Sequence, residues 1–181
     1  MALTPMSERY RRPDWVRRVN AMAAAAGGER AVVPIDAEDL LVTARASVGI
    51  DDGGGLGDGD WEGRFRALVA AIDASPLHVV GRLLTREELL RGLRTRLLLA
   101  ERRRREPAIA AEVVDDPIVV TGPARSGTTI LFELLGCDPG LRTPIATDVL
   151  HPAPPPGTSA AELTAMTEPE QELWADVQPE F

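Results

Sequence analysis

The sequence is poor in the residues that build metal centres and covalent cross-links. It contains one cysteine, Cys137, two histidines, His78 and His151, and no lysine at all. A disulfide within the chain and a thiolate zinc cluster are therefore excluded, and so is any reaction through a lysine Schiff base. Aromatic residues make up only 4% of the chain, so we expect a core built mainly from Ala, Leu and Val.

Long apolar runs are absent as well. The longest ones, such as residues 21–26 and 97–100, are far shorter than the roughly 20 residues that a membrane-spanning helix needs. The first residues also lack an apolar stretch behind a basic patch, which is the pattern of a secretory signal. We therefore expect no membrane span and a cytoplasmic location.

Acidic residues are concentrated in the last third of the chain. The net charge is −8, and residues 126–181 hold nine acidic residues against a single basic one, Arg142, so this segment alone accounts for the whole net charge. Such a balance disfavours nucleic-acid binding. The arginine run at 102–105 is the main basic feature, and we interpret it as the end of a helix whose dipole favours cations.

Helix signals dominate residues 1–112, which we predict to be a helical N-terminal region. Asp36 is a candidate cap of one helix, and Thr85 with Glu88 three residues later forms a capping box at the start of the longest one. Helices are predicted at about 14–26, 36–49, 61–74 and 85–105.

The pattern changes at residue 117. Residues 117–121 are a short, largely β-branched run, typical of a buried parallel strand, and residues 128–137 predict a helix. We therefore expect an α/β fold in which residues 113–181 begin a doubly wound parallel sheet. Because one strand cannot form such a sheet, we expect the chain to be the N-terminal part of a longer protein. The alternative is a small helical protein with a two-strand ribbon.

The loop between this strand and helix has the composition of a phosphate cradle. Gly127 allows the backbone to approach a ligand, and the first N–H groups of the next helix point into the loop at the positive end of the helix dipole. In the triphosphate-binding pattern G-x-x-x-x-G-K-[ST], a lysine follows the second glycine. Here Thr128 takes that place, and the cation stands three residues earlier, at Arg125.

The position of this cation changes the ligand that the loop favours. A lysine after the second glycine serves β- and γ-phosphates beside magnesium. An arginine within the loop offers two parallel donors to one tetrahedral anion and needs no metal. The loop therefore favours a donor with a single phospho-sulfo linkage over a triphosphate.

Residues 125–129, Arg-Ser-Gly-Thr-Thr, behind the run 117–122 resemble the 5′-phosphosulfate-binding loop of sulfotransferases that use 3′-phosphoadenylyl sulfate. Residues 134–144 and the proline-rich stretch 151–156 resemble the bacterial branch of that family, in which a helical segment precedes the loop. The resemblance is specific over about 85–157. It implies transfer of a sulfo group from 3′-phosphoadenylyl sulfate, without a metal, to a hydroxyl or amine of a small molecule, lipid or glycan.

The resemblance also implies roles for single residues. Arg125 would hold the 5′-phosphosulfate and stabilise the bridging oxygen while the S–O bond breaks. The phosphate and sulfo oxygens would be bound by the backbone and hydroxyl donors that follow it, at Ser126, Gly127, Thr128 and Thr129.

Sulfuryl transfer also needs a base, which relatives place soon after the first helix. The matching position here is Asp148, with His151 as the second candidate. The structural alternatives are that Asp148 caps a helix or turn and that His151 is an ordinary exposed histidine. The residues that hold the 3′-phosphate and adenine in the family have no match in this chain, so we expect it to bind the donor poorly and to turn over little or nothing by itself.

Two other functions stay open from the residues alone. A kinase or hydrolase with a degenerate phosphate loop would need a magnesium-binding aspartate at the end of a later strand. A non-catalytic helical module would bind a partner through the leucine stripe at 89–98 and the arginines that follow it.

Overall fold

Helices form the regular structure of the computed structural model, which describes residues 12–51, 59–123 and 126–177. In chain order, the α-helices in these ranges are α1 (Asp14–Ala25), α2 (Glu29–Val32), α3 (Ala37–Val48), α4 (Trp61–Ala74), α5 (Val79–Arg105), α6 (Thr128–Gly136), α7 (Ala146–Leu150) and α8 (Ala160–Val177). A 3-10 helix covers Pro107–Ala111. The four helices predicted before residue 112 are therefore present.

The capping contacts explain why α3 begins where the sequence predicts and why α5 does not. The Asp36 carboxylate accepts a hydrogen bond of 2.9 Å from the backbone N–H of Asp39, which caps α3 as expected. The long helix α5 instead begins before the predicted capping box, because the His78 ring caps it by accepting a hydrogen bond from the Gly81 N–H at 3.1 Å. Thr85 consequently lies inside α5 rather than at its start.

The predicted α/β class, with a first strand of a parallel sheet at 117–121, is wrong for this structure. None of the described residues forms a strand, and Ile118 and Val119 are 62% and 77% exposed instead of buried. A strand exists only through hydrogen bonds to a neighbour, and within the described ranges the backbone of 113–121 has none. The β-branched residues therefore lack the second strand that a sheet requires, and Asp116 directly before them is a bend with a φ of 42°.

Two apolar clusters form the core, and α5 contributes to both. The larger one joins α3, α4 and α5 and consists of Ile35, Leu40, Leu41, Ala44, Val69, Leu90, Leu93 and Leu97. The smaller one joins α1 to the start of α5 through Val16, Ala23, Val79 and Val80, and Val177 at the end of α8 packs against it. The core therefore lies in the N-terminal helical region, with the end of α8 as an additional contact.

A buried arginine connects α5 to the elements that precede it. Arg82 is only 1% exposed. Its Nε donates a 2.7 Å hydrogen bond to the Val33 carbonyl, and its Nη2 lies 2.6 Å from the Asp73 carboxylate at the end of α4. The hydrogen bond from Arg82 is the largest cause of a lowered pKa at Asp73. The Arg82 guanidinium therefore has two partners. Removing either one would leave a buried cation incompletely paired, which lowers the free energy of unfolding.

Replacement of Asp73 by alanine should destabilise the fold by about 2 kcal/mol in urea unfolding. This is below the roughly 3–5 kcal/mol for fully buried pairs, because the Asp73 side chain is 36% exposed. The matched control is Asp39→Ala, which removes a half-exposed carboxylate from Arg86 and should cost less than about 1 kcal/mol. Equal losses for the two variants would contradict the anchoring role of Arg82.

The same ion pair should make stability depend on pH. The pKa of Asp73 is lowered from its ordinary value of 3.8 in the folded state. The ion pair between Asp73 and Arg82 therefore stabilises the fold fully at pH values above the ordinary pKa of 3.8. This stabilisation is lost as the pH falls through the lowered pKa of the folded state. We expect the stability difference between the wild type and Asp73→Asn to shrink in this acidic window, as measured by urea unfolding at several pH values.

Candidate functional site

The site begins where α6 starts, directly after Gly127. The φ angle of Gly127 is 92°, which is in the left-handed region that favours glycine. The first hydrogen bond within α6 runs from the Leu131 N–H to the Gly127 carbonyl at 3.1 Å. The preceding N–H groups, those of Thr128, Thr129 and Ile130, have no acceptor among the described residues. They are therefore available to a ligand.

The electrostatics of this helix end favour an anion. Among the residues that the structure describes, no side chain caps α6, and the first turn of α6 contains no acidic residue. The free N–H groups and the positive end of the helix dipole are therefore not compensated locally. A tetrahedral anion would satisfy both.

The loop before α6 is closed by a second glycine. A Cβ atom on Gly122 would lie 2.7 Å from the Ser126 Oγ and 3.1 Å from the Thr128 Cγ2, so a larger residue would require these two side chains to shift. The Ser126 N–H also donates a 3.2 Å hydrogen bond to the Pro123 carbonyl. Ser126 and Thr129 are exposed, and Thr128 is half-buried. The predicted residues 126–129 therefore lie side by side at the start of α6, as their positions in the sequence require, and their role as donors stays a prediction.

The predicted cation of the loop, Arg125, lies outside the described residues, and its role stays a prediction. Arg142 is the arginine that follows the loop, and it is exposed. No ion pair to it is formed by any residue in the described ranges.

The candidate base Asp148 lies in the first turn of α7. Its Oδ2 accepts a 3.2 Å hydrogen bond from the Ile145 N–H, and its side chain is exposed. This is the capping contact that was the structural alternative for this residue. Within the described ranges, no hydrogen bond or ion pair joins Asp148 to residues 126–129.

The second candidate, His151, is turned toward the C-terminal helix. Its side chain is 11% exposed, and its Nε2 lies 3.9 Å from the Glu170 carboxylate of α8 without a hydrogen-bond partner in the described ranges. Arg91 of α5 completes this cluster. Its Nη1 donates a 3.3 Å hydrogen bond to the Leu150 carbonyl, and its Nε is 3.9 Å from Glu170.

Sequence reasoning missed this cluster, which we call the Arg91 cluster (Arg91, His151 and Glu170). Arg91 is one of nine arginines between 82 and 105, and its spacing does not distinguish it from its solvent-facing neighbours. The cluster holds the end of α7 against α5. It therefore sets the position of the segment that carries Asp148.

Other features of the described residues lie apart from this loop. A shallow pocket of about 470 Å³ has Ile35 and Val69 in its lining, with Arg30 and Arg66 also present, and it includes none of the candidate residues. No group of three or more metal-ligating side chains is found in the described ranges. No helix in them has both the length and the apolar character required to cross a bilayer.

Comparison with known proteins shows one similar solved structure. The chain is similar to the crystal structure of sulfotransferase STF1 from Mycobacterium tuberculosis H37Rv, with 29% sequence identity and a TM-score of 0.58. The similarity covers 77% of this chain and 37% of that one, which supports a sulfotransferase-like fold. No protein-family model matches the sequence, and no curated protein matches it either.

Replacing Arg91 with methionine should loosen the attachment of α7 while leaving the core intact, because methionine keeps the apolar stem and removes the donors. We expect faster amide hydrogen exchange at 147–151 and in the middle of α8. Arg94→Met is the matched control, since Arg94 contacts Ser47 and Glu87 instead. Equal exchange at 147–151 in both variants would show that Arg91 does not hold this segment.

Proposed function

We propose that this chain carries the donor-binding loop of a sulfotransferase that uses 3′-phosphoadenylyl sulfate. The observation that carries the proposal is the open N-terminus of α6, where three consecutive N–H groups after Gly127 lack acceptors within the described ranges. The similarity to a sulfotransferase supports it. Since the chain spans 37% of that protein's length, the proposed site is one part of a complete active site.

In this proposal the loop binds the 5′-phosphosulfate of the donor. The N–H groups of α6 and the hydroxyls of Ser126, Thr128 and Thr129 hold its oxygens, and Arg125 donates to the bridging oxygen. Charge spreads over the equatorial sulfo oxygens during sulfuryl transfer, as in phosphoryl transfer. Donors that are already fixed by the fold therefore stabilise the transition state more than flexible groups would.

We assign the base to Asp148 in preference to His151. The Asp148 carboxylate is exposed and uses one oxygen for the Ile145 N–H, so it can still accept a proton. His151 faces Glu170 from a nearly buried position. During transfer, the acceptor oxygen or nitrogen forms a bond to sulfur, the bond from sulfur to the bridging oxygen breaks, and the acceptor's proton passes to the base.

The acceptor proposed here is a hydroxyl or amine of a small molecule, lipid or glycan, and no metal takes part. A loop with its cation at Arg125 stabilises one tetrahedral group by direct hydrogen bonds. The described residues do not argue for the kinase or hydrolase alternative, which requires a magnesium-binding aspartate beside the loop.

Isothermal titration should show weak binding of adenosine 3′,5′-bisphosphate to this chain, because the sites for its 3′-phosphate and adenine have no match here, but binding at least about tenfold tighter than that of ATP with magnesium. Arg125→Ala should remove most of this binding, because a charged hydrogen bond to an anion contributes about 1.5–3 kcal/mol. Arg142→Ala is the matched control, since it removes the same charge outside the loop. Preference for magnesium-ATP, or equal losses in the two variants, would rule the proposal out.

Gly127→Ala should weaken bisphosphate binding about fivefold or more. An alanine at a φ of 92° costs about 1–2 kcal/mol and would shift the N–H groups of α6. Gly92→Ala is the control, because Gly92 lies in α5 with open space around its Cβ position, and it should leave binding unchanged. Unchanged affinity in Gly127→Ala would show that this turn does not form the anion site.

A further inference from the structure

The first turn of α5 is held by side chains that lie before the helix. The first hydrogen bond within α5 runs from the Arg82 N–H to the His78 carbonyl at 2.8 Å, so the N–H groups before it need other acceptors. The Val80 N–H donates to the Asn20 Oδ1 of α1 at 3.4 Å, and the Gly81 N–H donates to the His78 Nδ1 at 3.1 Å. The ring lies directly over Gly81, since a Cβ atom on this glycine would be 3.5 Å from the Nδ1 atom. The cap therefore depends on an unprotonated ring nitrogen.

This turn also supports the smaller apolar cluster. Val79 and Val80 are only 5% and 4% exposed and pack with residues of α1. Val177 at the end of α8 packs against the same cluster. The larger cluster uses the middle of α5, around Leu90 and Leu97, which begins roughly three turns further along the helix. Opening of the first turn would therefore release α1 and the end of α8 while the larger cluster stays packed.

Protonation of the ring removes this cap for two reasons. A proton on the His78 Nδ1 atom turns the acceptor into a donor, which would then face the Gly81 N–H. The charged ring would also stand at the positive end of the α5 dipole, where a cation is unfavourable. The folded state therefore favours the neutral ring.

Charged groups around the start of α5 act on the ring in both directions. Burial is the largest cause that lowers the pKa of His78 from its ordinary value of 6.5; Arg12 lowers it as well, and Glu29 of α2 raises it. The other charged side chains on the elements that pack here are not main causes of the shift: Asp14, Arg17 and Arg18 of α1, Arg30 of α2, Arg82 of α5 and Asp176 of α8. The cap is therefore complete above the ordinary value and is lost as the pH falls through the lowered pKa of the folded state.

We propose that His78 makes the attachment of α1 and of the end of α8 sensitive to pH. When the Nδ1 atom is protonated, the ring leaves Gly81, the first turn of α5 opens and the smaller cluster loosens, while the larger cluster stays packed. Asp73 has an ordinary pKa of 3.8, so the ion pair between Asp73 and Arg82 is lost only at more acidic pH and the two effects are separable. The proposal does not depend on the sulfo donor.

The test is amide hydrogen exchange of the full chain at about pH 7.5 and at about pH 5, on either side of the range in which an ordinary histidine titrates. The wild type is compared with His78→Asn, because asparagine is a preferred capping residue and keeps its acceptor at both pH values. After correction for intrinsic exchange, protection at 82–85 and in α1 should fall at least about threefold in the wild type on acidification, the effect of a lost cap. It should not fall in His78→Asn, and protection at 90–97 should be the same at both pH values.

Two further variants keep the interpretation specific. The chain has one other histidine, and His151→Asn should keep the pH dependence of the wild type. His78→Ala lacks the acceptor at every pH and should show the low protection already at about pH 7.5. An equal fall in wild type and His78→Asn, or a simultaneous fall at 90–97, would overturn the proposal. Because this exchange is measured without nucleotide, failure of the donor-binding proposal would be a separate result.

Discussion

A single buried guanidinium, that of Arg82, fixes the arrangement on which the other parts depend. A buried charge costs several kcal/mol unless it is paired and hydrogen-bonded, so α5 is held where Arg82 reaches both the Val33 carbonyl and the Asp73 carboxylate. Both apolar clusters use α5. The same helix presents Arg91 to the end of α7, so the position of the C-terminal segment depends, through α5, on this one anchored cation.

Much of the helical region could be predicted from the sequence because its signals are local. Asp36 caps α3 through a residue three positions away, and such a contact needs no knowledge of the fold. The start of α5 was missed because its cap is a histidine ring, which is not one of the usual capping side chains. The role of Arg82 could not be predicted, since its partners are 9 and 49 residues away.

In the candidate site, too, features set by neighbouring residues could be predicted from the sequence, and features set by distant residues could not. Gly127 and the start of α6 follow from a local pattern, and the structure has both. The predicted strand failed because pairing is a property of two segments, and Ile118 and Val119 carry no information about the second one. Asp148 shows a third situation, in which the role of base stays a prediction, because the bond from the Ile145 N–H to its carboxylate is that of a helix cap.

The charges around the loop affect how it would bind an anion. The loop would bind a multiply charged anion, yet it opens a segment, residues 126–181, that holds the entire net charge of −8. Repulsion between exposed charges extends over a screening length of about 8 Å at physiological salt, whereas the N–H groups of α6 act only at contact. In the proposed function, attraction at the loop would therefore come from short hydrogen bonds and from the predicted cation Arg125 rather than from the general field of the segment.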